Sequence, residues 1–193
     1  MNHQNILILD TSTQTQIVIL AMQEKITTFK SRLGKNDYVS CMIPLIENTL
    51  QENNLYLKNL DAVIVGVGPG SYTGTRVAVL TAKILSLNLK IPLYQISSLL
   101  LLSSGYSYIS LTPLIDARSN YFFALSIKSH RIFLNEGRFE DSFLRSFPNH
   151  VLIEPNTIKI DFCTIKKFAK HVPNPHLLVP NYLTKTQAER NLG

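Results

Sequence analysis

The chain opens on an unbroken apolar run, Ile6 to Leu9, which ends on Asp10 and is followed by "TQIVILAM" (15–22) and "KITTFKS" (25–31). A continuous apolar run suits a strand covered on both faces, and the polar gaps between the runs are of hairpin length. Three neighbouring antiparallel strands are predicted. From Asp37 to Asn53 the period changes. Tyr38, Met42, Leu45, Ile46, Thr49 and Leu50 recur at helical spacing, with Asn36 or Asp37 as the N-cap. Pro44 lies inside this helix and should bend it, because proline lacks a backbone donor and crowds the carbonyl four residues earlier. A strand over 61–67, a helix over about 73–90 and a strand over 93–96 then predict a crossover unit. Such a unit implies parallel pairing and an α/β lobe.

Beyond Pro92 the pattern predicts a short Leu-rich helix near 98–104 and then a new strand pair in "LTPLIDARSNYFFALSI". This segment echoes "NILILDTSTQTQIVIL": an apolar strand, an Asp at its end (Asp10 and Asp116), a few small or polar residues, and another strand. Two lobes that open with the same hairpin would produce such an echo, and so would two unrelated hairpins. A third strand over 131–139, a loop, a strand in "HVLIE" (150–154) and a basic helix over 161–171 complete the second lobe. Pro173, Pro175 and Pro180 make the rest an extended tail in which a helix could start only after Tyr182. The predicted division is an N-terminal lobe over 1–105 and a smaller C-terminal lobe with tail over 106–193.

The helix over 73–90 is apolar almost all round, carrying Val77, Ala78, Val79, Leu80, Ala82, Ile84, Leu85, Leu87 and Leu89. Such a helix must be covered on more than one side. The 37–53 helix is its natural neighbour, and a partner surface accounts for the excess as well as burial within the chain does.

Composition narrows the picture. The 193 residues are 45% hydrophobic and 17% charged, which is a globular balance. Formal charge is +6, so RNA, nucleotides or acidic protein surfaces are compatible partners. No block of five basic residues marks a nucleic-acid arm, and Lys166, Lys167 and Lys170 read as a solvated helix face. Cys41 and Cys163 form no C-x-x-C pair, so neither a disulfide framework nor a zinc spacing is present. "MNHQNILILD" lacks a basic leader, and no apolar segment nears the ~20 residues of a membrane span, so a soluble cytoplasmic protein is expected.

The stretch "VIVGVGPGSYTGTRVAVLTAK" departs from each enzymatic template at a particular residue. A phosphate loop needs Lys after its last glycine, whereas Thr75 follows Gly74. A dinucleotide fingerprint fails because Thr73 stands for the third glycine and no acid occurs between Asp61 and Asp116. The hydrolase elbow needs a central Ser, but Tyr72 is there. His3, His130, His150, His171 and His176 form no helix-borne metal pair. Gly68 and Gly70 therefore read as positive-φ positions, Ser71 or Thr73 as a helix cap, and Gly74 as a place of close backbone approach. Arg76 is a candidate anion or partner contact. Asp10, Thr11, Ser12 and Thr13 could hold a metal-bound phosphate or could simply brace a tight turn.

Together, "LDTST", "GVGPGSYTGTRVAVLTAK", "IDARSNYFFA" and the closing "PNYL" resemble the TsaB (YeaZ) family of bacterial tRNA-modification proteins. The resemblance implies a two-lobed, duplicated fold of the actin, Hsp70 and sugar-kinase type (ribonuclease H-like), with mixed sheets flanked by helices and here a reduced second lobe. It implies a non-catalytic subunit of the complex that makes N6-threonylcarbamoyladenosine at tRNA position 37. That subunit dimerises with and activates the catalytic subunit TsaD, supports the ATPase TsaE, forms a homodimer when alone, and meets tRNA through the complex. No cofactor or metal of its own is implied, ATP and magnesium being used by the partner subunits. The residues lack what an old M22 peptidase label would need: the histidine pair of the catalytic relative has no counterpart, and "DARS" replaces its glycine-rich phosphate turn after Asp116. The family pairs through the helices matching 37–53 and 74–90, making Tyr38, Met42, Leu45, Ile46, Thr49, Arg76, Val77, Leu80 and Ile84 the candidate interface. Tyr38 stands where relatives often carry His. The rival reading is an ATP- and magnesium-binding phosphotransferase or ATPase, with Asp10, Thr11, Ser12 and Asp116 facing a cleft.

Overall fold

The computed structural model describes residues 3–35, 37–107, 109–129 and 131–183. The chain begins with a meander of three antiparallel strands, β1 (Asn5–Asp10), β2 (Thr15–Met22) and β3 (Lys25–Leu33). Helix α1 (Tyr38–Gln51) leads to β4 (Ala62–Gly66), which lies parallel to β1. Helix α2 (Tyr72–Leu89) then crosses to β5 (Leu93–Ile96), parallel to β4. The continuous apolar run of β1 is explained by cover on both faces. Ile6 and Ile8 enter a core shared with the second lobe, while Leu7 and Leu9 enter the core beneath α1 and α2.

A short helix α3 (Ser98–Leu102), every residue of it buried, joins the lobes. The second sheet repeats the plan of the first: β6 (Ser110–Asp116), β7 (Tyr121–Lys128) and β8 (Arg131–Glu140) form an antiparallel meander. After one short turn of helix, α4 (Asp141–Leu144), strand β9 (His150–Leu152) lies parallel to β6. The spatial order β4, β1, β2, β3 in the first sheet is matched by β9, β6, β7, β8 in the second. The sequence echo between Asp10 and Asp116 is thus an echo of topology, each Asp ending the first strand of its meander.

Helix α5 (Phe162–Phe168) is shorter than the predicted 161–171. Its chain leaves at Ala169 in extended conformation to form β10 (Lys170–His171), which pairs antiparallel with β5. The end of the second half therefore completes the edge of the first sheet. The loop expected after 139 contains α4, whose Leu144 is buried against Leu114 and Ala124. Asp37 is the residue preceding α1, but its side chain makes no cap and instead takes Arg32 in two hydrogen bonds of 3.0 and 2.6 Å. Asn36, His130 and any helix in the tail after Leu183 lie outside the described residues. Among the described residues, no helix is long and apolar enough to cross a membrane.

Candidate functional site

The glycine turn is built against the turn between β1 and β2. Ser71 caps α2, its hydroxyl accepting from the Gly74 N–H at 3.2 Å, and its own N–H donates to the Ser12 carbonyl at 2.6 Å. Gly68 and Gly70 have φ of 93° and 152°, the backbone region that glycine tolerates. Gly70 and Gly74 are needed for a second reason: a Cβ on either would overlap a backbone carbonyl, that of Ser12 or of Thr11. The two turns interlock backbone on backbone.

Asp10 lies beneath this joint, fully buried. Its Oδ1 accepts from the Ser12 N–H at 2.8 Å and hydroxyl at 2.7 Å, and its Oδ2 accepts from the Ser98 hydroxyl at 2.5 Å. Burial pushes the carboxyl pKa up, opposed by the hydrogen bonds from Ser98 and Ser12. Thr11 and Ser12 are buried with it, and Thr11 Oγ1 has no hydrogen-bond partner among the described residues. The expectation that Asp10, Thr11 and Ser12 face a cleft is therefore corrected: neighbouring chain fills the space in front of them. Asp116 is exposed, and its Oδ1 accepts from the Arg118 N–H of its own turn at 2.8 Å. Among the described residues no three His, Cys, Asp or Glu side chains group as metal ligands.

The tail is strapped along one side of α2. Lys83 donates to the carbonyls of His176 and Leu178 at 2.9 and 3.0 Å, and the Asn181 N–H donates to the Val67 carbonyl at 2.7 Å. Arg76 lies 3.9 Å over the Tyr72 ring and donates from Nε to the Tyr182 hydroxyl at 2.8 Å. Glu136 of β8 accepts from the Ser97 hydroxyl and from Asn181 Nδ2, tying the second sheet to the strap. Apart from the i,i+4 contact of Arg76 with Tyr72, residue spacing gives no sign of these links, which join positions 39 or more apart.

Burial separates the candidate interface residues of α1 and α2. Met42 and Ile46 are 1% exposed and sit in this chain's own core with Leu7, Leu9, Val18 and Leu20, and Thr49 is fully buried. They leave the candidate interface, because the most regular apolar stripe of an amphipathic helix is the one that faces the sheet. Tyr38, Leu45 and Val77 are half-buried, the Tyr38 ring lying against Gly34. Leu80 and Ile84 are exposed, 59% and 49%. The residues that sequence spacing missed are Val39, Ile43 and Leu87, also exposed. Val39 and Ile43 stand one turn apart on α1, and Leu80, Ile84 and Leu87 line one face of α2. The two helices pack against each other. Each helix leaves aliphatic side chains in solvent.

Residues 32–144 match the family model described as TsaD, tRNA N6-adenosine threonylcarbamoyltransferase. The chain is 35% identical over 116 residues to the tRNA threonylcarbamoyladenosine biosynthesis protein TsaB of Bacillus subtilis, covering 58% of this chain and 50% of that protein. It is 28% identical over 144 residues to the protein of the same name from Haemophilus influenzae, covering 72% and 60%. The matched part thus spans half to three-fifths of the length of these curated relatives. Among solved structures, YeaZ from Pseudomonas aeruginosa superposes with a TM-score of 0.70 at 20% identity, over 93% of this chain and 100% of that one. A second Pseudomonas aeruginosa structure, described as similar to peptidase YEAZ, gives 0.72 at 19% identity, over 94% and 100%. These likenesses establish the fold, the two-lobed, actin-like arrangement of mixed sheets flanked by helices.

Proposed function

Since the chain belongs to the TsaB (YeaZ) family, we propose that it is a non-catalytic partner subunit in the synthesis of N6-threonylcarbamoyladenosine on tRNA. In this reading α1 and α2 dock on the equivalent helix pair of TsaD, order its catalytic site and complete a surface for TsaE. Alone, the same face pairs two copies of the chain. ATP and magnesium belong to the partner subunits, and the chain works in the cytoplasm.

One observation carries the proposal: the exposed aliphatic face of Val39, Ile43, Leu80, Ile84 and Leu87 on two adjacent helices. Solvent-facing helix positions are ordinarily polar, and a contiguous apolar face marks an interaction surface. Leu80→Asp with Ile84→Asp buries two charges in the proposed contact without touching the chain's own core. The double variant is expected to lose co-elution with TsaD and to stop threonylcarbamoyladenosine formation in a reconstituted mixture of TsaD, TsaE, ATP and tRNA. Undiminished co-elution would remove the interface, and synthesis that proceeds without the chain would remove the function. The ATP-binding alternative needs Asp10 to be freed from Ser12 and Ser98, and no observation favours that opening.

A further inference from the structure

The second lobe carries an exposed apolar surface of a different chemistry. On the outer face of its sheet, Phe139, Phe143, Phe147 and Phe133 form a train of rings. Their successive centroids lie 5.2, 5.4 and 6.0 Å apart, with the first two rings stacked at 19°. Phe133, on the edge strand β8, is 67% exposed, and Phe143 is 48% exposed. The inner rings cover Leu114, Ala124 and Leu144, which is ordinary core work. Phe133 and Phe143 go beyond it, since each keeps much of its ring in solvent.

Cations stand beside the rings. Lys128 Nζ lies 5.9 Å from the Phe133 centroid, and Arg131 is exposed two residues before that ring. Among the described residues neither Lys128 nor Arg131 makes an ion pair. Arg145 is paired with Asp141 at 3.0 Å and so contributes less. The face on α1 and α2 is aliphatic, as helix packing requires. This one offers flat π surfaces with unpaired positive charge at their edge, which matches bases and phosphates.

We propose that the outer face of the second sheet binds an unpaired stretch of RNA, with bases stacking on Phe133 and Phe143 and phosphates drawn to Lys128 and Arg131. Unpaired nucleotides expose the ring faces that stacking needs, whereas a duplex hides them. The surface is built by β8 of the second sheet and by α4, elements separate from α1 and α2.

Fluorescence anisotropy of the 193-residue chain alone tests this, with a labelled single-stranded RNA of about twelve nucleotides and a duplex of the same sequence. The single strand is expected to bind more tightly than the duplex, with affinity falling as salt rises. Phe133→Ala with Phe143→Ala should weaken binding about tenfold or more, while Phe133→Trp keeps it. Lys128→Ala with Arg131→Ala should reduce the salt slope by about one to two. All these side chains are surface-facing, and circular dichroism confirms that each variant folds. Undetectable binding at low salt, a preference for duplex, or unchanged affinity in the aromatic variant would overturn the proposal. Because no TsaD is present, any of these results leaves the docking face on α1 and α2 untouched.

Discussion

Asp10 shows how a residue type that suggests chemistry can serve architecture. Its two oxygens receive three hydrogen bonds, and the side chain has no solvent access. Removing the carboxylate leaves the Ser12 N–H and two hydroxyls buried without an acceptor, at about 1–3 kcal/mol for each group left unsatisfied. Asp10→Ala is therefore expected to destabilise the chain by several kcal/mol, about 2–5 in a urea titration, while the near-isosteric Asn costs less. Calorimetry with ATP and magnesium on the folded wild-type chain is expected to show no heat, in keeping with a buried Asp10. Sequence spacing left Asp10 open between a phosphate site and a turn brace, since both uses need an acid followed by hydroxyls. What decided between them was Gly66, where a Cβ would collide with Asp10, and Ser98, eighty-eight residues away. Neither is adjacent in sequence, so the deciding contacts had no local signature.

At the scale of elements, α2 is framed on three sides: by the sheet, by α1 and by the strap at Arg76 and Lys83. Its fourth side carries Leu80, Ile84 and Leu87. The apolar excess of this helix was legible in the sequence because composition alone shows too few polar positions for a water-facing side. Which residues form that side was legible for Leu80 and Ile84 but not on α1, where the regular stripe of Met42, Ile46 and Thr49 points inward. An isolated pair such as Val39 and Ile43 gives no such period. The end of α2 is also informative. Lys90 closes it in the left-handed region, φ 55°, where glycine avoids the steric cost of a Cβ. Lys90→Gly is expected to raise stability by about 0.5–1 kcal/mol, read as a higher denaturation midpoint with an unchanged slope.

For the whole molecule, the junction between the two sheets is a packed core rather than a linker. Leucines of α3 sit with Ile6 and Ile8 of the first sheet and Leu111, Phe123 and Ile127 of the second. Across it stands Glu136, its pKa raised by burial and lowered again in part by donors from Ser97 and Asn181. A carboxyl raised in the folded state adds stability that is complete below its unfolded value, here 4.5, and lost as pH rises through the folded one. Asp10 acts with the same sign. Asp37, held well below the carboxylate range by Arg32 and the Lys35 N–H, acts oppositely and loses its contribution in acid. Glu136→Gln is thus expected to flatten the fall in stability from mildly acidic to neutral pH, measured by denaturation across that range; an unchanged profile would deny the carboxyl this role. The doubled plan of the two sheets was visible in sequence because an Asp marks the same strand end in each. The return of β10 was not, since a two-residue strand between a helix and a proline has no period to read.

That return has a bearing on biosynthesis. Strand β5 has Lys170–His171 as its outer neighbour, and Val172 and Leu178 belong to the core beneath α2. On the ribosome, the first hundred residues therefore emerge with an open sheet edge and an incomplete apolar core beneath α2, and α2 gains its contacts with the strap last. The fold around α2 is therefore completed only once residues 170–178 have left the ribosome, and a chain that stops short of them carries α2 on an unfinished core.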